Sequence, residues 1–232
     1  MNRNEKAMVL FSGGVDSTTC LGLAIERYGT EHVIPLSITY GQKHTREIEA
    51  ARNILNYYGL KGAELNLSAV FAHSSCSLLS HSAQEIPQES YASQLEKQPD
   101  ALVSTYVPFR NGLFLSCAAS MALSYECSCI YYGAHQDDSA GSAYPDCSMD
   151  FFENMNRAIF EGSGKQVHLE APFIQCSKAG VIETGLRLHV PYELTWSCYS
   201  GGDTPCGRCA TCIDRQKAFE ANHVQDPALQ GI

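Results

Sequence analysis

Phe11-Ser12-Gly13-Gly14-Val15-Asp16-Ser17-Thr18-Thr19 decides how the chain is read. The apolar run Ala7 to Phe11 predicts a short buried strand. After it, Leu21, Leu23, Ala24, Ile25 and Tyr28 recur at helical spacing. The quoted stretch is therefore a tight turn from a strand into a helix. Gly13 and Gly14 allow backbone conformations closed to other residues and let a ligand come close. The helix start aims free N–H groups and partial positive charge at the turn, which suits an anion. Ser12, Ser17, Thr18 and Thr19 add hydroxyl donors, and Asp16 adds a carboxylate. The spacing and the lysine of a Walker P-loop are absent.

Further along the chain the strand–helix rhythm repeats. His32 to Thr39 predicts a second strand, followed by the polar turn Tyr40-Gly41-Gln42-Lys43-His44. Arg46 to Tyr58 places Ile48, Ala51, Ile54, Leu55 and Tyr58 on one helical face, and Gly59 ends that helix. Ala63 to Leu67 predicts a third strand. The pattern β-α-β-α-β signals a parallel sheet with right-handed crossovers and helices on both faces. Ligands in such sheets sit beyond the carboxyl ends of the strands. Tyr40 to His44 would therefore touch a bound base or substrate, with His44 read as a surface histidine ahead of a general base.

Length, charge and cysteine content narrow the class. At 232 residues, 44% of them hydrophobic, the chain is one large domain or a domain with an appendage. A net charge of −9 argues against nucleic-acid or anionic-membrane partners. No apolar run approaches the roughly 20 residues of a membrane span, and the N-terminus does not read as a signal peptide. A cytoplasmic protein is expected. Its eleven cysteines cannot then all form disulfides.

Ser68 to Ser104 breaks the rhythm with a long polar stretch. Such a stretch suits a lid, a binding loop or an oligomer contact, and a homodimer is expected. Cys76 within it reads as a non-ligand. Thr105 to Gly112 leads into an apolar helix over Leu113 to Leu123, and Arg110 just before that helix suits phosphate or carboxylate. Ser128 to Gly133 predicts a fourth strand. Cys117, Cys127 and Cys129 in this region read as core thiols. The loop Ala134 to Cys147 gathers Asp137, Asp138 and Asp146 with Tyr144. Its carboxylates can accept paired hydrogen bonds from a guanine-like edge while Tyr144 stacks. Met149 to Phe160 predicts a helix and Ala171 to Ile174 a short edge strand. Ser177 caps a helix over Lys178 to Leu188, and Lys178 at its start is within reach of phosphates. Cys198, Cys206, Cys209 and Cys212 are spaced C-x7-C-x2-C-x2-C. Four thiolates in a glycine-bearing segment fit a closed structural zinc site, ahead of an iron–sulfur cluster or a redox pair. A helix over Ile213 to Ala221 follows.

The SGGVDS turn resembles the pyrophosphate loop of the ATP pyrophosphatases. Together with VPFRN, YPDC and LTWSCY…PCGRCATC, in this order from about Ala7 to Phe219, it resembles the 7-cyano-7-deazaguanine synthase family of the queuosine pathway. The resemblance implies an adenine nucleotide alpha hydrolase-like α/β domain over residues 1–190, with a zinc-binding segment over 191–232. It implies an ATP-dependent ligase that turns 7-carboxy-7-deazaguanine and ammonia into the nitrile through adenylated acid and amide. Residues Phe11 to Thr19 and Tyr40 would hold ATP, and Asp16 would hold Mg2+ beside the pyrophosphate. Arg110 and Lys178 would clamp the phosphates, Asp137, Asp138, Tyr144 and Asp146 would hold the base, and the four cysteines would hold zinc. The chain departs from the family at Phe109, where glycine is usual, and by extra residues between Ser139 and Tyr144. A relative that passes the activated acid to another amine, such as a protein N-terminus, is the near alternative. A tRNA-modifying pyrophosphatase is the next, and a non-catalytic nucleotide sensor is the last.

Overall fold

The computed structural model describes residues 5–97, 102–139 and 143–229. The extra loop residues 140–142 and part of the long polar stretch lie outside the described residues. Five parallel strands form the sheet: β1 (Lys6–Leu10), β2 (Val33–Thr39), β3 (Ala63–Asn66), β4 (Cys127–Tyr131) and β5 (His168–Glu170), in the order β3-β2-β1-β4-β5. The helices are α1 (Val15–Tyr28), α2 (Arg46–Tyr58), α3 (Tyr91–Lys97), α4 (Arg110–Ser124), α5 (Gln136–Ser139), α6 (Met149–Gly162), α7 (Lys178–Arg187) and α8 (Ala210–Ala221).

The central strand shows why helices cover both faces. In β1 the side chains of Ala7 and Val9 enter one core, with Leu21 and Ala24 of α1, Ile54 of α2, Val181 and Ile182 of α7, and Phe219 of α8. Met8 points the other way, into a core with Leu115 and Ala118 of α4, Ile130 of β4 and Ile159 of α6. All three β1 residues are fully buried, as expected for a strand of a parallel sheet. The chain leaves β1 toward β2 on one side, and β4 joins β1 on the other. The switch in strand order therefore falls between the carboxyl ends of β1 and β4, where open α/β sheets open a crevice.

Two expectations shift. The fifth strand is His168–Glu170, not Ala171 to Ile174, which is a turn closed by Ile174 N–H to Ala171 O at 3.2 Å. Pro172 has no N–H for a ladder, and Phe173 is apolar because it enters the first core. Helix α4 begins at Arg110 rather than Leu113, so Arg110 is its first residue rather than its forerunner.

The long stretch after β3 is not bare loop. Phe71, Cys76, Leu78 and Leu79 form a small core with Tyr40 and Val107, and Gln42 bridges to Leu79. Cys127 and Cys129 are buried thiols, while Cys117 is half-buried. Among the described residues no helix is long and apolar enough to cross a membrane.

The tail is fixed by a buried ion pair that carries no sequence signature. Arg215 of α8 donates through Nε and Nη2 to both oxygens of Asp226, at 2.7 and 2.8 Å, and through Nη1 to Thr195 Oγ1 at 2.8 Å. Such a two-pronged pair keeps both charges satisfied away from water. Nearby, the Tyr192 hydroxyl bonds Thr19 Oγ1 at 2.8 Å and passes over Gly185, where an added Cβ would lie 1.8 Å from the hydroxyl oxygen. Gly185→Ala is therefore expected to lower stability by about 2 kcal/mol, or about 4–8 °C in Tm. Thermal unfolding by circular dichroism checks this, and the loss should shrink in a Tyr192→Phe background.

Candidate active site

A cavity of about 680 Å³ opens at the strand-order switch. Its lining joins the β1–α1 turn to the end of β2, the face of α2, the starts of α4 and α7, the loop after β4 and the cysteine-bearing tail.

At one end lies the turn itself. Gly13 has φ +83°, and a Cβ there would meet Ala51 N at 2.5 Å and Glu47 O at 2.8 Å. Both are backbone atoms of α2 and cannot give way. Gly14 caps α1 without any side-chain hydrogen bond to the helix start. The first N–H groups of α1 are thus left for a ligand, and anions favour that position. Phe11, Ser12, Gly14, Asp16 and Ser17 line the cavity. Gly13, Val15, Thr18 and Thr19 do not. Val15 is core, Thr18 Oγ1 donates to Gly14 O at 2.7 Å, and Thr19 Oγ1 donates to Val15 O and bonds Tyr192.

Asp16 and Lys178 meet here across 162 residues of chain. Lys178 Nζ donates to Asp16 Oδ2 at 2.5 Å. His135 Nε2 lies 3.7 Å from Asp16 Oδ1, 3.4 Å from Asp138 Oδ2 and 3.4 Å from Lys178 Nζ. Burial works to raise the Asp16 carboxyl, but the Lys178 ammonium and His135 outweigh it and hold the carboxyl below its ordinary value. Asp138 goes the other way, because burial and the Asp16 charge raise it against His135 and Lys178. Asp16 Oδ1 is buried without a hydrogen-bond partner. That bare carboxylate oxygen beside the open helix start fits a hard divalent cation.

At the other end Arg110 stacks over Tyr40 with its guanidinium carbon 5.4 Å from the ring centre. The guanidinium forms no ion pair among the described residues, and its closest hydrogen bond is a 3.5 Å contact to the Tyr40 hydroxyl. Beside it three tyrosine hydroxyls converge from distant segments. Tyr91 of α3 and Tyr199 of the tail are 2.7 Å apart, and Tyr144 reaches Tyr91 at 3.1 Å and Thr105 Oγ1 at 2.7 Å. A cavity wall of a cation and neutral hydroxyls suits an anionic, planar ligand.

The four acidic-loop residues part company. Asp138 and Tyr144 line the cavity. Asp137 is exposed and accepts from the Lys178 N–H at 2.7 Å, holding the start of α7. Asp146 is buried and accepts from the Asn111 N–H at 2.9 Å, holding the start of α4 behind Arg110. Glu47, His135, Tyr91 and Tyr199 were not singled out in sequence, yet all line the cavity. Only the adjacency of His135 to Asp137 and Asp138, and of Tyr199 to Cys198, hinted at two of them.

The sulfurs of Cys198, Cys206, Cys209 and Cys212 lie within 4.8 Å of one another. The Ser200 and Cys206 N–H groups donate to Cys198 Sγ, and the Cys209 N–H donates to Cys206 Sγ, each at 3.3 Å. Such bonds stabilise thiolates, so the group could bind a metal with four ligands. Trp196 leads into it. Its backbone N–H donates to Gly13 O at 3.0 Å and its indole N–H to Cys198 O at 2.8 Å.

The chain is 38% identical over 229 residues to the 7-cyano-7-deazaguanine synthase of Archaeoglobus fulgidus, covering 97% of this chain and 90% of the relative. It is 40% identical over 222 residues to that of Caldicellulosiruptor saccharolyticus, covering 96% and 94%. The fold is similar to that of NMN synthetase from Francisella tularensis, with a TM-score of 0.52 and 13% identity, covering 96% of this chain and 79% of that one. The family model for queuosine biosynthesis protein QueC matches residues 6–223. The chain belongs to the QueC family.

Proposed function

We propose that the protein is a 7-cyano-7-deazaguanine synthase, an ATP-dependent carbon–nitrogen ligase. The observation that carries this reading is the single cavity joining an uncapped helix start with Asp16 and Lys178 to the Arg110 and tyrosine wall, in a chain of this family. Transfer to a protein amine and tRNA modification are not favoured, because the curated relatives carry the name of the nitrile synthase.

The chemistry follows the two ends. ATP would lie with its β- and γ-phosphates on the Ser12–Ser17 turn and its base toward Tyr40. The acid would lie with its carboxylate toward Arg110 and its ring against Tyr144, and Asp138 would accept from the amino edge. The carboxylate attacks the α-phosphate and pyrophosphate leaves. Ammonia displaces AMP to give the amide. The amide oxygen is adenylated in turn, and loss of AMP gives the nitrile. Lys178 would neutralise the departing charge, and Mg2+ held by Asp16 would add its own charge there. Positioning supplies much of the rest. Asp137 and Asp146 act one step back, by fixing the helix starts that carry Lys178 and Arg110.

Zinc would occupy the four-cysteine group and fasten Trp196 against the turn. Elemental analysis should then find one zinc per chain. Stripping it should lower Tm and, through Tyr199 and Trp196, weaken binding of both substrates. A brown protein with visible absorbance would instead point to an iron–sulfur cluster.

With the acid, ATP, Mg2+ and ammonium, mass spectrometry should detect the nitrile and AMP. Asp16→Asn and Lys178→Gln are each expected to cut acid-dependent ATP–pyrophosphate exchange on the order of 100-fold or more. The double variant should fall little below the worse single, because the pair acts as a unit. Fully multiplicative losses would separate their roles.

A further inference from the structure

Ammonia brings three N–H bonds to the reaction of the proposed synthase, and the nitrile keeps none. Three protons must therefore leave nitrogen within the cavity. The first leaves as the C–N bond forms and the C–O bond to AMP breaks. The second leaves as the amide oxygen bonds the α-phosphate and pyrophosphate departs. The third leaves as AMP takes the C–O electron pair and the C≡N bond closes. The initial adenylation uses a carboxylate nucleophile and releases no proton. A base is required for the nitrogen steps alone.

Most ionisable groups of the cavity are already engaged. Asp16 is committed to Lys178, and His135 and Asp138 share that network. Asp214 stands at the same end, under the influence of Lys178 and Lys217. Glu64 pairs with Arg52. Glu47, in the first turn of α2, lines the cavity, and its carboxylate has no hydrogen-bond or ion-pair partner among the described residues. It is held in place because its own backbone carbonyl packs against Gly13.

We propose that Glu47 is the general base that takes the protons lost by the ammonia-derived nitrogen. This rests on the substrate reading above. The carboxylate shares the cavity with Arg110, whose charge acts on it, and Arg110 is the group that would hold the reacting carboxyl. One charged group acts on it from the elements around it, Arg110 from α4, and Tyr40 at the end of β2 feels the Glu47 charge in turn. The turn before α1 presents backbone to α2 at Gly13, and Arg46 and Glu49 on α2 itself pair with each other. Burial pushes the Glu47 carboxyl up to about 7, with Arg110 opposing the shift. A base with that value is half available at neutral pH and strong enough to accept the proton. The base form is the ionised one, so the nitrogen steps should gain rate as pH rises through about 7.

The test separates the partial reactions in wild type, Glu47→Gln and Glu47→Asp. Acid-dependent ATP–pyrophosphate exchange reads the first adenylation, and quenched single turnovers from the acid or from the amide read the nitrogen steps. In Glu47→Gln, exchange should stay within about threefold of wild type, while amide and nitrile formation fall on the order of 100-fold or more and lose the rise near pH 7. Glu47→Asp should regain part of the rate and keep a pH limb. Exchange falling in step with nitrile formation would overturn the proposal in favour of a binding role, and unchanged nitrogen steps would overturn it outright. Wild type without exchange on this acid would overturn the substrate reading, and this proposal with it.

Discussion

Gly13 sits where no other residue fits. Its left-handed backbone and its contact with the Ala51 and Glu47 backbone wedge the β1–α1 turn against α2. Trp196 closes the other side by donating to the Gly13 carbonyl. Gly133, at the end of β4, adds a third wall, since a Cβ there would lie 3.0 Å from the Asp16 carbonyl carbon. The turn is thus fixed from three directions before any ligand arrives. Such preorganisation matters for charge stabilisation, because donors already in place need not reorganise as charge develops. The helix start, Asp16 and the approach to the cavity all inherit their positions from this one crowded glycine.

Much of this was legible in the chain, and the reasons divide cleanly. The alternation of strands and helices shows because each core-facing side chain repeats at a fixed period, and the turn shows because glycines and hydroxyls cluster at one junction. The fifth strand was misplaced because Phe173 is apolar for a different purpose, filling the first core from a turn. Asp16, Arg110, Lys178, Asp138 and Tyr144 do meet in one cavity. Asp137 and Asp146 share their composition but face helix starts instead, a distinction made by tertiary contacts alone. Glu47 was silent because periodicity marks only the apolar face of α2. Arg215 and Asp226 were silent because eleven residues of separation say nothing about burial.

The departure at Phe109 has a local physical account. The residue keeps a positive φ of 52°, where glycine is at ease and a larger residue is strained by roughly 1 kcal/mol or more. The surroundings absorb the change. The Tyr106 hydroxyl accepts from the Phe109 N–H at 2.9 Å, the ring meets Phe151 edge-on, and it overlies Gly112, which has no side chain to obstruct it. The backbone bend that sets Arg110 at the first position of α4 therefore survives without glycine.

Trp196 is the chain's single tryptophan, and it stands between the β1–α1 turn and the four cysteines. Its indole lies under Arg46 at 5.7 Å and its backbone is tied to Gly13. The protein thus carries its own optical reporter. Emission from one fluorophore answers both to what settles on the turn and to what the cysteines hold, so the two events can be followed in unlabelled protein and resolved in time.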